Sequence, residues 1–269
     1  MNHLNYKNIF KEACKNYFND SEIFEFWKWF DEHLKLCKTE EEKDRNFNLW
    51  LSELLTEKPI QYIFSKAYFH QFIFNVNEHT LIPRPETEEL CVHILQENND
   101  SSALCGIDIG TGSGCIPVTL TSMRKSWNFD ALDISEMAIE IALTNAKKYQ
   151  VQDRVNFIKN DFFNLLSNEN QYDIIVSNPP YIHSSELSNM DKRVINFEPH
   201  LALFVNQHVL EFYEGLFQFF ELNTNPQAQL WMETHQNHCQ EVEKLFNSKF
   251  KAKKIEDFSQ NPRFVYVTK

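Results

Sequence analysis

Asp108-Ile109-Gly110-Thr111-Gly112-Ser113-Gly114 places three of the chain's five glycines between an apolar run, Ala103–Ile109, and a helix-forming segment, Cys115–Met123. A glycine cluster at a strand-to-helix junction lets the backbone pass close to a ligand while the amides at the helix start face an anionic group. The stretch therefore predicts an α/β fold carrying a nucleoside-cofactor loop. Its spacing, Gly-x-Gly-x-Gly, puts Cys115 where the dinucleotide fingerprint wants its last glycine, and no Lys-Ser/Thr follows. NAD and ATP are both disfavoured on that ground.

Outward from the loop, strand and helix patterns alternate through Asn128–Asp133, Ser135–Tyr149, Val155–Lys159 and Tyr172–Ser177. Alternation of this kind implies a parallel sheet wrapped by helices. Val209–Phe220 reads as a helix, Gln229–Glu233 as a strand, Gln240–Phe246 as a helix and Phe264–Val267 as a last strand. On the amino-terminal side, Leu90, Cys91, Ile94 and Leu95 mark a helix after Pro85. Phe72, Phe74 and Val76 alternate within Tyr62–Val76 and predict a hairpin connector. Before Pro59 three amphipathic helices are expected. Tyr6, Phe10 and Tyr17 lie on the first, Trp27, Phe30 and Leu34 follow a cap at Ser21, and Phe47, Trp50 and Leu51 follow a capping box of Thr39 with Glu42. Aromatic stripes at this period mostly face a neighbouring helix, so these rings read as core.

At 269 residues the chain suits a large plus a small domain, and its net charge of −12 argues against a partner gripped through a phosphate backbone. Direct binding of DNA is disfavoured. Cys14, Cys37, Cys91, Cys105, Cys115 and Cys239 form no Cys-x-x-Cys pair, which predicts free thiols in a reducing compartment, the cytoplasm. Met1–Lys11 has no apolar core of signal length, and no stretch approaches the ~20 apolar residues of a membrane span. His235, His238 and Cys239 have no further ligand set beside them, so they read as a solvated helix start and no metal is expected.

An acid about 20 positions beyond the loop, at the end of the next strand, is expected to bond ribose hydroxyls, and Asp133 lies there. Taken alone it reads equally as a helix cap, a role Ser135 also offers. Asp161-Phe162, after Val155–Lys159, offers a hydrogen bond and an apolar wall to an adenine. S-adenosyl-L-methionine has the ribose, the adenine and a carboxylate for the loop amides. Asn178-Pro179-Pro180-Tyr181 then follows the run Tyr172–Ser177 and sets a carboxamide, two imide carbonyls and a ring at a strand's carboxyl end. The prolines remove backbone donors, so acceptors dominate. Such a place suits an NH2 group on an sp2 carbon, as in a carboxamide or an aminopurine. The order of loop, Asp133, Asp161 and Asn-Pro-Pro-Tyr at successive strand ends carries more weight than any one of them.

With these segments, and with Lys58-Pro59-Ile60-Gln61-Tyr62-Ile63, Leu81-Ile82-Pro83-Arg84-Pro85-Glu86-Thr87-Glu88, Phe197-Glu198-Pro199 and Ala202-Leu203, the chain resembles the class I S-adenosylmethionine-dependent methyltransferases. Within them it resembles those that methylate N5 of a glutamine in peptide chain release factors. The Pro-Arg-Pro-Glu-Thr-Glu segment together with Asn-Pro-Pro-Tyr is the specific part, since Asn-Pro-Pro-Tyr also occurs in DNA-adenine and some RNA-guanine methyltransferases. The resemblance implies a Rossmann-like α/β sheet over 76–269, and a substrate-docking helical domain with the hairpin linker over 1–75. It implies that Gly110, Thr111, Gly112, Ser113, Gly114 and Asp133 hold S-adenosyl-L-methionine, with Asp161 and Phe162 at its adenine and S-adenosyl-L-homocysteine as product. Asn178 and Pro179 would take the substrate amide, Tyr181 would stack on it, and Pro180 would stiffen the turn. Pro83 and Arg84 would wall the site, Glu86 or Thr87 would cap the next helix, and Glu198-Pro199 would brace the Asn-Pro-Pro-Tyr loop. Two departures stand out. The family's Gly-x-Asp-Gly-Leu run after Ala-Leu is replaced by Phe204-Val205-Asn206-Gln207-His208-Val209-Leu210, and Phe162 stands where the family often has Trp.

Three rivals remain at this level. A methyltransferase of an exocyclic amine in nucleic acid has the wrong electrostatics, a ribosomal-protein glutamine methyltransferase keeps the chemistry, and a non-catalytic adaptor must explain the intact Asn178 and glycine loop.

Overall fold

The computed structural model describes residues 3–98, 103–166, 170–183, 187, 190–205 and 208–269. Asn206 and Gln207 of the departing segment lie outside the described residues. The chain forms two compact units, Met1–Lys66 with Asp191–Phe197, and Ala67–Met190 with Glu198–Lys269.

The first unit holds helices α1 (His3–Cys14), α2 (Asp20–Leu36), α3 (Glu40–Leu54) and α4 (Ile60–Ile63). Its core takes Phe10, Phe30 and Phe47, each fully buried, and Trp27 beside them, as the helical periodicity predicts. The start of α2 corrects the expected cap. Asn19, not Ser21, closes it: the Asn19 side chain accepts from the Glu22 amide and the Glu22 carboxylate accepts from the Asn19 amide, both at 3.0 Å. Asparagine caps as well as serine, and only Asn19 has an acid three residues on. Thr39 caps α3 as expected, accepting from the Glu42 amide at 3.1 Å, but Glu42 reaches back to the Lys38 amide at 2.7 Å, so only half the box forms. Arg193 bonds Glu22 at 2.9 Å within the same unit.

The second unit opens with a hairpin, β1 (Lys66–Phe69) and β2 (Phe72–Asn75), and α5 (Pro85–Glu97). β3 (Cys105–Ile109), α6 (Cys115–Met123), β4 (Asn128–Asp133), α7 (Glu136–Lys148), β5 (Val155–Lys159), a 3₁₀ turn at Phe162–Leu165 and β6 (Tyr172–Ser177) follow. After α8 (Lys192–Phe197), which belongs with the helical unit, come α9 (His200–Leu203), α10 (Glu211–Leu222), β7 (Thr224–Glu233), α11 (Cys239–Asn247), β8 (Lys251–Glu256) and β9 (Pro262–Thr268). The sheet order is β5-β4-β3-β6-β7-β9-β8; the first five strands are parallel, and β9 runs antiparallel to both its neighbours. β7 starts five residues before the expected Gln229, across a register shift that accommodates Pro226. β8 escapes the sequence reading because it is the edge, where Lys251, Lys253 and Lys254 replace apolar alternation.

Buried residues pack both faces of the sheet, with Trp127, Phe129 and Trp231 in one cluster and Phe219, Phe220 and Phe246 in the other. The hairpin docks on α7, where buried Asn145 accepts from the Asn75 amide at 2.8 Å and donates to the carbonyls of Asn75 and Ser113 at 3.0 and 2.9 Å. One side chain thus ties the hairpin to the glycine loop.

Candidate active site

Register aligns the parallel strands at their carboxyl ends: Leu132 lies beside Ile109, Ile109 beside Ser177, and Ser177 beside Met232. The next residue on each strand is therefore Asp133, Gly110, Asn178 and Glu233, with Asn160-Asp161 beyond β5. From β3 the chain winds outward through β4 and β5, and from β6 the other way through β7, so the order reverses between β3 and β6. Ligands of open α/β sheets bind at such a switch point. A cavity of about 450 Å³ opens there. Gly110, Thr111, Gly112 and Ser113 line it together with Asp133, Asp161 and Phe162. Pro83, Arg84, Asn178 and Pro180 line it from the other side. Gly114, Pro179, Tyr181 and Glu198 are not among its lining residues.

On the glycine side, Gly110, Gly112 and Gly114 all have positive φ, at 81°, 54° and 76°. A Cβ at Gly114 would also stand 3.0 Å from that of Ala142, so no other residue fits there. The loop amides correct one expectation. Gly110 and Thr111 donate to the Leu132 carbonyl at 2.9 Å, Gly114 to the Thr111 carbonyl at 2.9 Å, and Gly112 to the Asp133 carboxylate at 2.8 Å, so these four serve the fold rather than an anion. A helix start leaves its first-turn amides without helical partners, and Cys115 and Ile116 of α6 line the cavity at that point. Asp133 also accepts from the Ser135 amide at 2.9 Å, while Ser135 caps α7 by accepting from Ala138, which separates the two roles the sequence left open. Burial pushes the Asp133 carboxyl up, and the amides of Ser135, Gly112 and Ile134 pull it back.

Asp108, behind the loop, is fully buried, and its oxygens make no hydrogen bond of ordinary length and angle among the described residues. Burial raises its carboxyl to about 7 against a weaker opposing pull from the nearby Thr111 hydroxyl. The Thr111 and Ser113 hydroxyls are likewise buried and unsatisfied. A cluster of polar atoms this poorly served beside a cavity fits a polar ligand that completes it. Asp161 caps the 3₁₀ turn by accepting from Phe163 at 3.0 Å. Phe162 stacks on Phe212 at 5.0 Å, and Phe163 and Phe212 line the cavity as well, so the apolar wall is three rings rather than the one the sequence offered.

Gly215 of α10 lies behind this wall, where a Cβ would stand 2.9 Å from Phe162 Cε1 and 3.1 Å from Phe163 Cε1. Alanine is favoured over glycine inside a helix by roughly 1 kcal/mol, but overpacking a core costs roughly 1–3 kcal/mol, so crowding wins. Gly215→Ala is expected to push the rings toward the cavity and to weaken binding of the predicted cofactor about 5-fold, near 1 kcal/mol, by titration calorimetry. Unchanged affinity would show that the rings yield elsewhere.

On the Asn-Pro-Pro-Tyr side, Asn178 Nδ2 donates to Thr87 Oγ1 at 3.0 Å and Thr87 Oγ1 donates to Glu233 Oε2 at 2.7 Å. Thr87 therefore does not cap α5, which starts with Pro85 at its first position and an N-cap, Arg84, that makes no side-chain capping bond. Glu233 is buried, and burial raises its carboxyl to about 7, opposed by its bond from Thr87 and by Arg263 and Arg84. The Tyr181 hydroxyl donates to Glu233 Oε1 at a long 3.5 Å, and burial raises its phenol. Glu198 corrects the expected brace. It accepts from Arg84 Nη2 at 2.7 Å and from the Ile82 amide at 3.2 Å, and so holds the Pro83-Arg84-Pro85 wall instead of the Asn-Pro-Pro-Tyr loop. Glu198 is almost wholly buried, and breaking such a pair from one side costs roughly 3–5 kcal/mol. The Asn-Pro-Pro-Tyr loop is continued instead by Ile182, whose amide and carbonyl pair with the Leu203 carbonyl and the Val205 amide at 3.1 and 3.0 Å. Sequence reasoning missed Glu233, Asp108 and Asn145. Glu233 alone had a visible signal, an acid closing the apolar run Leu230-Trp231-Met232 at a strand's carboxyl end.

Residues 87–197 match the family described as methyltransferase small domain. A release factor glutamine methyltransferase of Flavobacterium psychrophilum is 36% identical over 98% of this chain and 98% of its own length. Proteins of the same description from Staphylococcus aureus and Bacteroides thetaiotaomicron are 37% and 39% identical, each over 78% of this chain and over 74% and 73% of their own lengths. Among solved structures, the catalytic domain of hMettl16 in complex with a MAT2A 3′UTR hairpin superposes with a TM-score of 0.53 at 16% identity, covering 72% of this chain and 74% of that one. At that identity the likeness is one of fold.

Proposed function

This chain belongs to the release factor glutamine methyltransferases, and we propose from that premise how it transfers a methyl group from S-adenosyl-L-methionine to N5 of the glutamine in a release factor's Gly-Gly-Gln motif. The observation that carries the reading is the Asn178 carboxamide, whose Nδ2 is held by Thr87 so that Oδ1 is the end left for a ligand. It shares one cavity with the glycine loop and Asp133. Held there, S-adenosyl-L-methionine would supply an electrophilic methyl on a sulfonium, with S-adenosyl-L-homocysteine as the other product. Asp133 would take the ribose hydroxyls, the α6 start the carboxylate, and Asp161 with the Phe162 wall the adenine.

An amide nitrogen is a poor nucleophile because its lone pair is spread into the carbonyl. Asn178 Oδ1 and the Pro179 carbonyl, accepting from both amide hydrogens, favour charge building on that nitrogen and fix its direction. Preorganised dipoles of this kind contribute about 3–4 kcal/mol each, and holding the reactants in line contributes roughly 7. Positioning outweighs acid–base chemistry, and the proton leaves to water after the methyl arrives. Pro180 lines the cavity beside Asn178, Tyr181 turns its hydroxyl toward Glu233 rather than into the cavity where stacking on the amide was expected, and the Arg84–Glu198 pair holds the wall. The helical unit, Met1–Lys66 with Asp191–Phe197, is assigned the docking of the release factor, the hairpin expected to belong with it lying in the other unit, and the acidic chain suits a protein partner in the cytoplasm better than a phosphate backbone. No helix among the described residues is long and apolar enough to cross a membrane.

Incubation with labelled S-adenosyl-L-methionine and a purified release factor should label the intact Gly-Gly-Gln loop and leave a version with alanine at that glutamine blank. Parallel arms with ribosomal protein and plain DNA should stay at background. Label on the alanine version or on DNA alone refutes the glutamine reading.

A further inference from the structure

We infer that Thr87 and Glu233 are positioning residues that lock the Asn178 carboxamide in the one orientation able to receive an amide NH2, an inference that rests on the glutamine reading above. With Glu233 ionised, the hydrogen-bond inventory forces this polarity. A threonine hydroxyl has one proton, and at 2.7 Å it goes to Glu233 Oε2, an acceptor on a carboxylate. The lone pairs of Thr87 Oγ1 then face Asn178 at 3.0 Å, and only the Nδ2 end can answer them. The two ends of a carboxamide are nearly equal in shape, so without this relay nothing in the packing distinguishes the correct from the inverted side chain. Inverted, Asn178 would point two donors at a substrate group that is itself a donor.

The arrangement follows from topology. Glu233 continues β7 and Asn178 continues β6 in the same parallel register, and α5 brings Thr87 to bridge them. Glu233 is itself held: the Tyr213 hydroxyl donates to its backbone carbonyl at 3.1 Å, Tyr181 approaches its second oxygen, and the side chain is 1% exposed. A buried acid at this position is costly unless it is bonded, and a purely structural tie between α5 and β7 would be met as well by an apolar pair. The chain instead keeps a carboxyl oxygen as acceptor one hydroxyl away from the residue that meets the substrate.

The test compares Thr87→Val, Thr87→Ser and Glu233→Gln in the full-length enzyme with a release factor as substrate. Valine keeps the shape and removes the relay atom, and glutamine can offer a donor to Thr87 and so reverse the polarity. Both are expected to lower kcat at least 10-fold while KM for the release factor and the Kd for S-adenosyl-L-methionine stay within about 3-fold. Thr87→Ser should recover at least a third of the wild-type kcat. An independent readout is the Asn178 side-chain NH2 in 15N spectra, assigned by its loss in Asn178→Asp, whose hydrogen exchange should accelerate in Thr87→Val. Folded Thr87→Val and Glu233→Gln proteins with kcat within 3-fold of wild type overturn the inference, as does a Thr87→Ser variant as slow as Thr87→Val. If Glu233→Gln does not fold, Thr87→Val decides alone. A wild-type enzyme that fails to label the release factor sinks the glutamine reading instead, and the side-chain exchange then still decides whether the relay orients Asn178.

Discussion

Asn178→Ala should lower kcat for glutamine methylation by about 10²- to 10³-fold, while the Kd for S-adenosyl-L-methionine, read by calorimetry, changes by no more than a few-fold. The size follows from what is removed. Deleting one preorganised polar group aimed at developing charge costs roughly 3–4 kcal/mol elsewhere, and each 1.4 kcal/mol is a factor of ten. The half of the cavity proposed for the cofactor is built on other strands: Gly110 follows β3 and Asp133 closes β4, and among the described residues neither bonds Asn178. Truncation at 178 should therefore separate chemistry from cofactor binding. The loss should exceed that of Thr87→Val, because the alanine removes the acceptor itself while the valine only frees it to invert. Normal turnover by Asn178→Ala would refute the role given to this residue.

The parts of the molecule legible in the sequence are those whose physics is local. The glycine loop was readable because three positive φ angles need a residue without Cβ, and the helices Asp20–Leu36 and Glu40–Leu54 because their core faces repeat at helical spacing. β3 and β6 were readable because strands buried on both faces are near-continuous apolar runs. β8 was not, since an exposed edge leaves its lysines without a buried face to reveal them. The switch at the start of α2 from Ser21 to Asn19 turned on a partner three residues away, a contest of near-equal caps that composition does not settle.

The predicted site residues divide in the same way. Those placed by strand order, Gly110, Asp133, Asp161 and Asn178, converge on one cavity because register fixes the ends of adjacent strands. Partners contributed across long chain separations were misread. Glu198 holds the segment around Arg84, 114 residues earlier, and Thr87 bonds Glu233, 146 residues later. Thr87 and Glu198 look like local caps and braces in sequence because the acids and bases that claim them lie on elements whose adjacency only the folded topology creates.

Asp133→Ala should produce the converse of Asn178→Ala, weakening S-adenosyl-L-methionine about 100-fold or more while kcat at saturating cofactor stays within a few-fold. Two losses combine. The carboxylate accepts from the amides of Gly112 and Ser135, at 2.8 and 2.9 Å, so it anchors the glycine loop from β4 in addition to the ribose contact proposed for it. Hydrogen bonds to a charged group contribute roughly 1.5–3 kcal/mol each, and two ribose hydroxyls lost together account for the predicted factor even after water fills part of the gap. Asp133→Asn keeps one oxygen acceptor for Gly112 and should fall between, near 10-fold. That gradation separates the ribose role from loop anchoring. If anchoring of Gly112 alone mattered, asparagine with its oxygen on that amide would match wild type; if the ribose alone mattered, alanine would leave the loop's hydrogen-exchange protection unchanged. An alanine variant that binds the cofactor within 3-fold of wild type would remove Asp133 from the binding site and leave the α6 start and the Phe162 wall to hold the ligand.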